Sequence, residues 1–362
     1  MALFSRRKNS DSGDVSAHRP EGVIEPGEQP VDPSGPDDAT VSDSTDAEAA
    51  PVPNVTISTS SFRGVGAVDA TPAADAAPPV AARPSARQPG PMEAPEGFES
   101  IPGLRDNALL ATALGEISGQ AEAAQLLNVA RQLLQGHVFL RVKGDARALL
   151  AEGKDLPLAI ATRGEEQLVL AYSSGQALTQ SVQADGDRDT SAMGQPVMAL
   201  LRHVLGGPYA GVVLDHASGD ARAVLPTALL ERMVSEADPD LRIKTALSEK
   251  RTESTASTVV DAILAGAPLW IAVNQAAEDG RVGVAESRTA TGERYLEVFS
   301  HPLELLALGR GDQPVPLKTE QLAKAIAGDD GLTGLLVDPA GPWIRLNRDD
   351  LAGVLELAEG AQ

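Results

Sequence analysis

Two aspartates each end an apolar run and open a glycine-bearing turn: Asp215 in GVVLDHASG and Asp338 in GLLVDPAG. A carboxylate at the C-terminal end of a buried strand stands where α/β proteins often place ligands, and it could act as a base or a cation ligand. Each motif, however, carries one carboxylate with no second ligand at metal-binding spacing. The competing role is a turn former whose side chain bonds the backbone two residues on. His137, His203, His216 and His301 could do proton or metal chemistry, but they are scattered along the chain. Tyr172-Ser173 and Phe299-Ser300 could form a binding edge; the plainer role is an aromatic in the core and a serine capping the next helix, which suits Pro302. LGGPYAG and LGRGDQP carry glycines but lack the strand, glycine loop and helix order of a phosphate cradle. Trp343 follows Asp-Pro-Ala-Gly-Pro and could centre a partner patch. No catalytic set, metal set or cofactor fingerprint is legible. Asp215, Asp338 and Trp343 remain as interaction or turn positions.

The elements that must position these residues come in two similar series. NALLATALGEI and QAEAAQLLNVARQLLQG carry apolar residues at helical spacing, and Gly136 supplies a C-cap. HVFLRV reads as a strand, LPLAIATR and QLVLAYSS as a hairpin, QPVMALLRHVLGG as a helix and YAGVVLDHASG as a buried strand. ARAVLP then predicts a strand, and TALLERMV a helix. The second half answers in the same order: IKTALSEK, TVVDAILAG, PLWIAV, GVAESRTATGERYLEVFSHPLELL, TEQLAKAIAG, LTGLLVDPAG and WIRLNRDDLAGVL. The displacement is 130 residues from Ala130 to Val260, 127 from Tyr172 to Phe299 and 123 from Asp215 to Asp338. Such drift is what changing loop lengths produces, so the pattern predicts a duplication. Gly211 and Gly334 each precede an apolar strand, where a side chain would push neighbouring backbone away.

The chain has 362 residues, room for about two ordinary domains, and only 3% aromatics, so its core must rest on Ala, Leu and Val. The net charge of −21 argues against nonspecific binding to nucleic acid or anionic membrane. The absence of cysteine removes disulfides, thiolate metal sites and thiol nucleophiles. No secretory signal is legible at the start, and no apolar run reaches the roughly 18 residues of a membrane span, which predicts a cytoplasmic location. Residues 1–100 are rich in Pro, Ala, Asp and Ser without hydrophobic periodicity, and predict a disordered arm whose one candidate docking stretch is Val55–Val68.

The repeated unit resembles the SseB-like domain. The resemblance rests on the NALLATAL helix, on helices running into HVFLRV and PLWIAV, on the aromatic-Ser pairs in LAYSSGQAL and EVFSHPLEL, and on the GVVLDHASG and GLLVDPAG turns. Where the family usually shows Phe-Thr or Phe-Ser, the first copy has Tyr172-Ser173. The resemblance implies a mixed α/β fold, with two tandem modules over residues 104–236 and 240–360, each a small sheet flanked by helices. It implies no established activity. The expected function is a non-catalytic protein-interaction or binding module with an unidentified protein partner. The alternative is a small-metabolite sensor or enzyme with its site in the cleft between the modules.

Overall fold

The computed structural model describes residues 83–84, 89–97, 99–275 and 282–359. The stretch Val55–Val68 lies outside them. After a two-residue strand, β1 (Arg83–Pro84), a first unit runs α1 (Ala108–Gly115), α2 (Ala123–Leu133), β2 (His137–Lys143), α3 (Ala146–Ala151), β3 (Ile160–Arg163), β4 (Glu166–Tyr172) and α4 (Gly175–Asp185). It closes with β5 (Thr190–Pro196), α5 (Val197–Gly206), β6 (Gly211–Leu214), β7 (Ala223–Pro226) and α6 (Thr227–Glu236). A second unit follows with α7 (Arg242–Ser248), α8 (Thr255–Leu264), β8 (Leu269–Gln275), β9 (Val282–Arg288), β10 (Arg294–Phe299) and α9 (Pro302–Leu306). It ends with β11 (Gln313–Leu317), α10 (Thr319–Ala327), β12 (Leu332–Val337), β13 (Ile344–Asn347) and α11 (Ala352–Glu359). The fold is mixed α/β, with two sheets flanked by helices. Among the described residues no helix is long and apolar enough to cross a membrane.

The first sheet has the order β5-β2-β4-β6-β7, with β3 paired to β4. In the second, β11 pairs β8, β8 pairs β10, and β12 and β13 follow, while β9 pairs both β8 and β10 and carries β1 on its flank. Registers correspond as well as strand order. Phe139 faces Tyr172 in one sheet and Trp270 faces Phe299 in the other. β4 runs parallel to β6 with Leu168 beside Gly211, and β10 runs parallel to β12 with Tyr295 beside Gly334. The strand pairings of the two sheets thus correspond at these positions. Among the described residues of the second unit, helix α3 has no counterpart.

Each sheet buries its strands against helices built on leucine, valine and alanine. The first core gathers Leu110, Leu133, Leu201, Leu214 and Leu225, and the second Ile263, Leu335, Val337, Leu346 and Val354. Tyr172 and Phe299 are fully buried, which settles their role as core aromatics. The two glycines behave as the sequence predicts. A Cβ at Gly211 would lie 2.2 Å from the Leu225 carbonyl oxygen, and one at Gly334 would lie 1.9 Å from that of Leu346. These are backbone atoms of the partner strand and cannot swing aside. Gly334→Ala should therefore cost about 1–3 kcal/mol by forcing β12 from β13; an unchanged urea midpoint would contradict that close approach.

One expectation needs correction. The arm does not run free to residue 100. Gly90 N–H donates to the Pro339 carbonyl at 2.8 Å, Trp343 N–H donates to the Met92 carbonyl at 3.2 Å, and Ile101 is buried. Part of the stretch before residue 100 is thus tied down, because a Pro- and Gly-rich stretch without an apolar face can still be held by its backbone. The units do not meet through equivalent faces. α2 of the first packs on α9 of the second, and Leu303 of α9 enters the first unit's core. At the matching place on α4 stands Gln176, which is exposed. The contact is heterologous rather than two-fold, since the apolar residue was placed in only one copy.

Candidate functional site

The sheets bring each candidate aspartate to the C-terminal end of a parallel strand pair. Asp338 follows β12 and Ser300 follows β10; Asp215 follows β6 and Ser173 follows β4. Ser300 donates its N–H (2.7 Å) and its Oγ–H (2.5 Å) to the Asp338 carboxylate. Ser173 does the same to Asp215, at 2.8 and 2.5 Å. Both aspartates have positive φ, 48° for Asp215 and 52° for Asp338, in the left-handed region that Asp tolerates better than most residues. This corrects the turn-former expectation. The carboxylates do not bond the backbone two residues on; they tie one strand end to its neighbour. The backbone carbonyl makes the turn instead, with Gly341 N–H donating to Asp338 O at 2.8 Å and Ser218 N–H to Asp215 O at 2.9 Å. The serines are also not the helix caps. Ser174 caps α4 and His301 caps α9, each one residue later.

Burial dominates the electrostatics. It raises the Asp215 carboxyl to about 6, opposed by the two bonds from Ser173. It raises Asp338 to about 7, with the nearby Glu304 carboxylate adding to the shift. At the position matching Glu304 the first unit has Ala177, and there Asp106 is the nearby carboxylate that adds to the Asp215 shift. Glu304 itself is fully buried; burial alone would raise its pKa, but Lys244 and Arg131 more than reverse that and hold it low. Arg131 Nη1 donates to Glu304 at 2.9 Å and to the Gly341 carbonyl at 2.5 Å, and Lys244 Nζ donates to the other Glu304 oxygen. One carboxylate thus joins α2, α7 and α9, and Arg131 reaches on to the loop after Asp338.

His301 lies in the same region but its nitrogens are committed. Nε2 bonds the Met233 carbonyl at 3.0 Å, and Nδ1 accepts from Leu303 N–H at 3.1 Å. Burial, then the nearby Lys244 charge, lower it to about 4, so it is neutral at pH 7. Ser300, His301 and Asp338 therefore do not form a relay: Ser300 is bonded to Asp338, and His301 to backbone. A hollow of about 10 Å³, bordered by Lys244, Ser300 and His301, has room for one water. The other histidines stay apart, with His203 against Tyr209 (5.4 Å between ring centroids) and His216 beside Tyr172 (6.0 Å). Among the described residues no group of three His, Cys, Asp or Glu side chains could hold a metal ion.

The loop from Asp338 to Trp343 is buried or partly buried along its length. Trp343 is partly buried, and its indole N–H donates to the Gly90 carbonyl at 2.7 Å. Arg345 lies over the indole, 5.2 Å from the ring centroid. Arg251 Nη2 donates to the carbonyls of Met92 (2.9 Å) and Trp343 (3.1 Å). Residues 90–92 are therefore held by their own backbone groups, through the loop's main chain, the Trp343 indole and the Arg251 guanidinium. Residues 243–353 match the family model of the SseB protein N-terminal domain. The SseB match runs from α7 into α11, so it contains the loop, Trp343, Arg251, Glu304 and both partners of the Ser300–Asp338 bond. No curated protein and no solved structure matches the chain.

Sequence reasoning singled out Asp215, Asp338 and Trp343 but missed Arg131, Lys244, Glu304, Arg251 and Gly90. Three of these left a signal. Arg131 sits four residues after Leu127 on the apolar face of its helix, Lys244 stands inside IKTAL, and Glu304 stands between Leu303 and Leu305. A charge at an apolar position predicts a buried partner, though not which one.

Proposed function

We propose that this chain is a protein-interaction module built from two SseB-like units, residues 104–236 and 240–360, with its binding surface on the Asp338–Trp343 loop. Matched strand order and register in the two sheets support the second copy. One observation carries the binding reading: the loop already holds a stretch of polypeptide by its backbone. Gly90 and Met92 are gripped by four hydrogen bonds, from Gly90 N–H to Pro339, and to their carbonyls from the Trp343 indole, the Trp343 N–H and Arg251. Recognition through main-chain groups suits a peptide ligand. Its own segment is favoured by tethering, which supplies an effective concentration of about millimolar. The first unit's loop, Asp215–Gly219, has no tryptophan and, among the described residues, no strap.

The test uses the full chain with Gly90→Val, which unseats the strap, checked for native circular dichroism. A synthetic peptide spanning Gln88–Pro95 is added in trans, and tryptophan emission is followed. A saturable change is expected, and it should vanish when Trp343→Phe is added. No saturable change at millimolar peptide would contradict the reading.

A further inference from the structure

We infer that the partner of this loop is an acidic segment of the form Gly-Pro-X-Glu, of which Gly90–Glu93 is the copy resident in the chain. The inference rests on the reading of the loop as a peptide site and adds what the site selects.

The first position must be glycine. A Cβ at Gly90 would lie 2.2 Å from the Ala340 carbonyl oxygen and 2.7 Å from its carbon, both backbone atoms of the loop. The loop is fitted from its own side as well, since a Cβ at Gly341 would lie 2.6 Å from the Pro91 carbonyl oxygen. Two backbones touch because both lack a side chain at the contact. Proline suits the second position. No donor is used there, and its ring fixes φ in the extended range between the two gripped carbonyls. The third side chain is free: Met92 is 51% exposed, while its carbonyl accepts from Trp343 N–H and Arg251 Nη2.

The fourth position follows from Arg251. Its Nη1 is buried and has no hydrogen-bond acceptor among the described residues. A buried guanidinium nitrogen left unpaired is costly, and a carboxylate is its best complement. Burial lowers the Arg251 pKa and the Glu93 charge opposes that shift, so the acidic residue next in the strap already acts on this cation. Arg345 on the far side of the indole adds a second positive charge. A carboxylate at this position, reaching Nη1 directly, is what a displacing partner would bring.

The experiment titrates peptides into the full-length Gly90→Val chain with tryptophan emission as the readout. The peptide of residues Gln88–Pro95 is compared with versions carrying Gly90→Ala, Met92→Ala or Glu93→Gln. Binding at least tenfold weaker is expected for Gly90→Ala, and binding within about twofold for Met92→Ala. Glu93→Gln should weaken binding severalfold on this chain and have no effect once Arg251→Met is added, because the paired charge is then gone. Equal binding of the glycine and alanine peptides, or of the Glu and Gln peptides, overturns the selectivity and leaves the peptide-site reading standing. If no peptide binds, both fall. Should Gly90→Val not fold, the intact chain is titrated with the same peptides at millimolar concentration, where exchange with the strap is read from the Trp343 indole resonance by NMR.

Discussion

Glu304→Ala is expected to destabilise the protein by about 3–5 kcal/mol, because it strands two buried cations. Lys244 and Arg131 have side chains 3% and 6% exposed, and Glu304 is fully buried between them. Glu304 is their one carboxylate partner among the described residues; Arg131 keeps bonds to Asn128 and the Gly341 carbonyl, whereas Lys244 has no other hydrogen-bond acceptor there. The same residue joins the units, so its loss should also break cooperativity: one urea transition should become two, with shallower slopes. A control separates pairing from packing. Replacing all three charges together, Arg131→Met, Lys244→Met and Glu304→Leu, should recover most of the loss, since a buried ion pair exchanged for apolar side chains of similar size is close to neutral. Equilibrium denaturation measures both. A cost below 1 kcal/mol for Glu304→Ala would mean that water reaches the cluster.

The second large effect belongs to Asp338 and depends on pH. Asp338→Ala should cost about 2–4 kcal/mol, since it leaves Ser300 N–H buried without an acceptor and removes a second bond from Oγ. Asp338→Asn should behave differently. In the protonated acid one oxygen accepts from Ser300 N–H and the hydroxyl donates to Ser300 Oγ; an asparagine reproduces both bonds with its carbonyl and amide. The folded pKa of about 7 lies above the usual carboxylate value, so the folded state holds a proton that the unfolded state has released. Stability from this group is therefore fully present below about pH 4 and is lost as pH rises through about 7. Asparagine carries no such proton. Between pH 4.5 and 8 the Asn variant should gain on the order of 3 kcal/mol relative to wild type, because the variant alone avoids burying a charge. Urea titrations of both proteins across that range isolate the term, as every other carboxylate is common to them. A constant difference would mean that Asp338 is ionised throughout.

Much of the architecture was legible because it depends on local spacing. Helical periodicity in QAEAAQLLNVARQLLQG, the short apolar runs around Asp215 and Asp338 and the Gly164-Glu165 turn between β3 and β4 each identify an element without its neighbours. The order of those elements, met twice, carried the division into two sheets. The edge strands β5 and β11 were not legible. TSAMGQP and QPVPL lack apolar alternation, and an edge strand takes its hydrogen bonds from a partner the local sequence does not name. The prolines of β11, Pro314 and Pro316, even read against a strand, though an edge tolerates them where no donor is required.

The sequence alone also singled out the residues at the strand ends, Asp215, Asp338 and Trp343, by type and position. What those residues do was decided by tertiary structure. The partners of Asp338 are Ser300, 38 residues away, and Glu304, and the Trp343 indole meets Gly90 across 253 residues. Hydrogen-bond geometry and desolvation depend on which atoms are brought within a few ångströms, and no periodicity encodes that. The same holds for the arm: its composition predicted disorder, yet two glycines let its backbone lie against a loop far along the chain. Composition reports how much apolar surface a segment can bury, whereas docking by main-chain hydrogen bonds depends on the shape of what it meets.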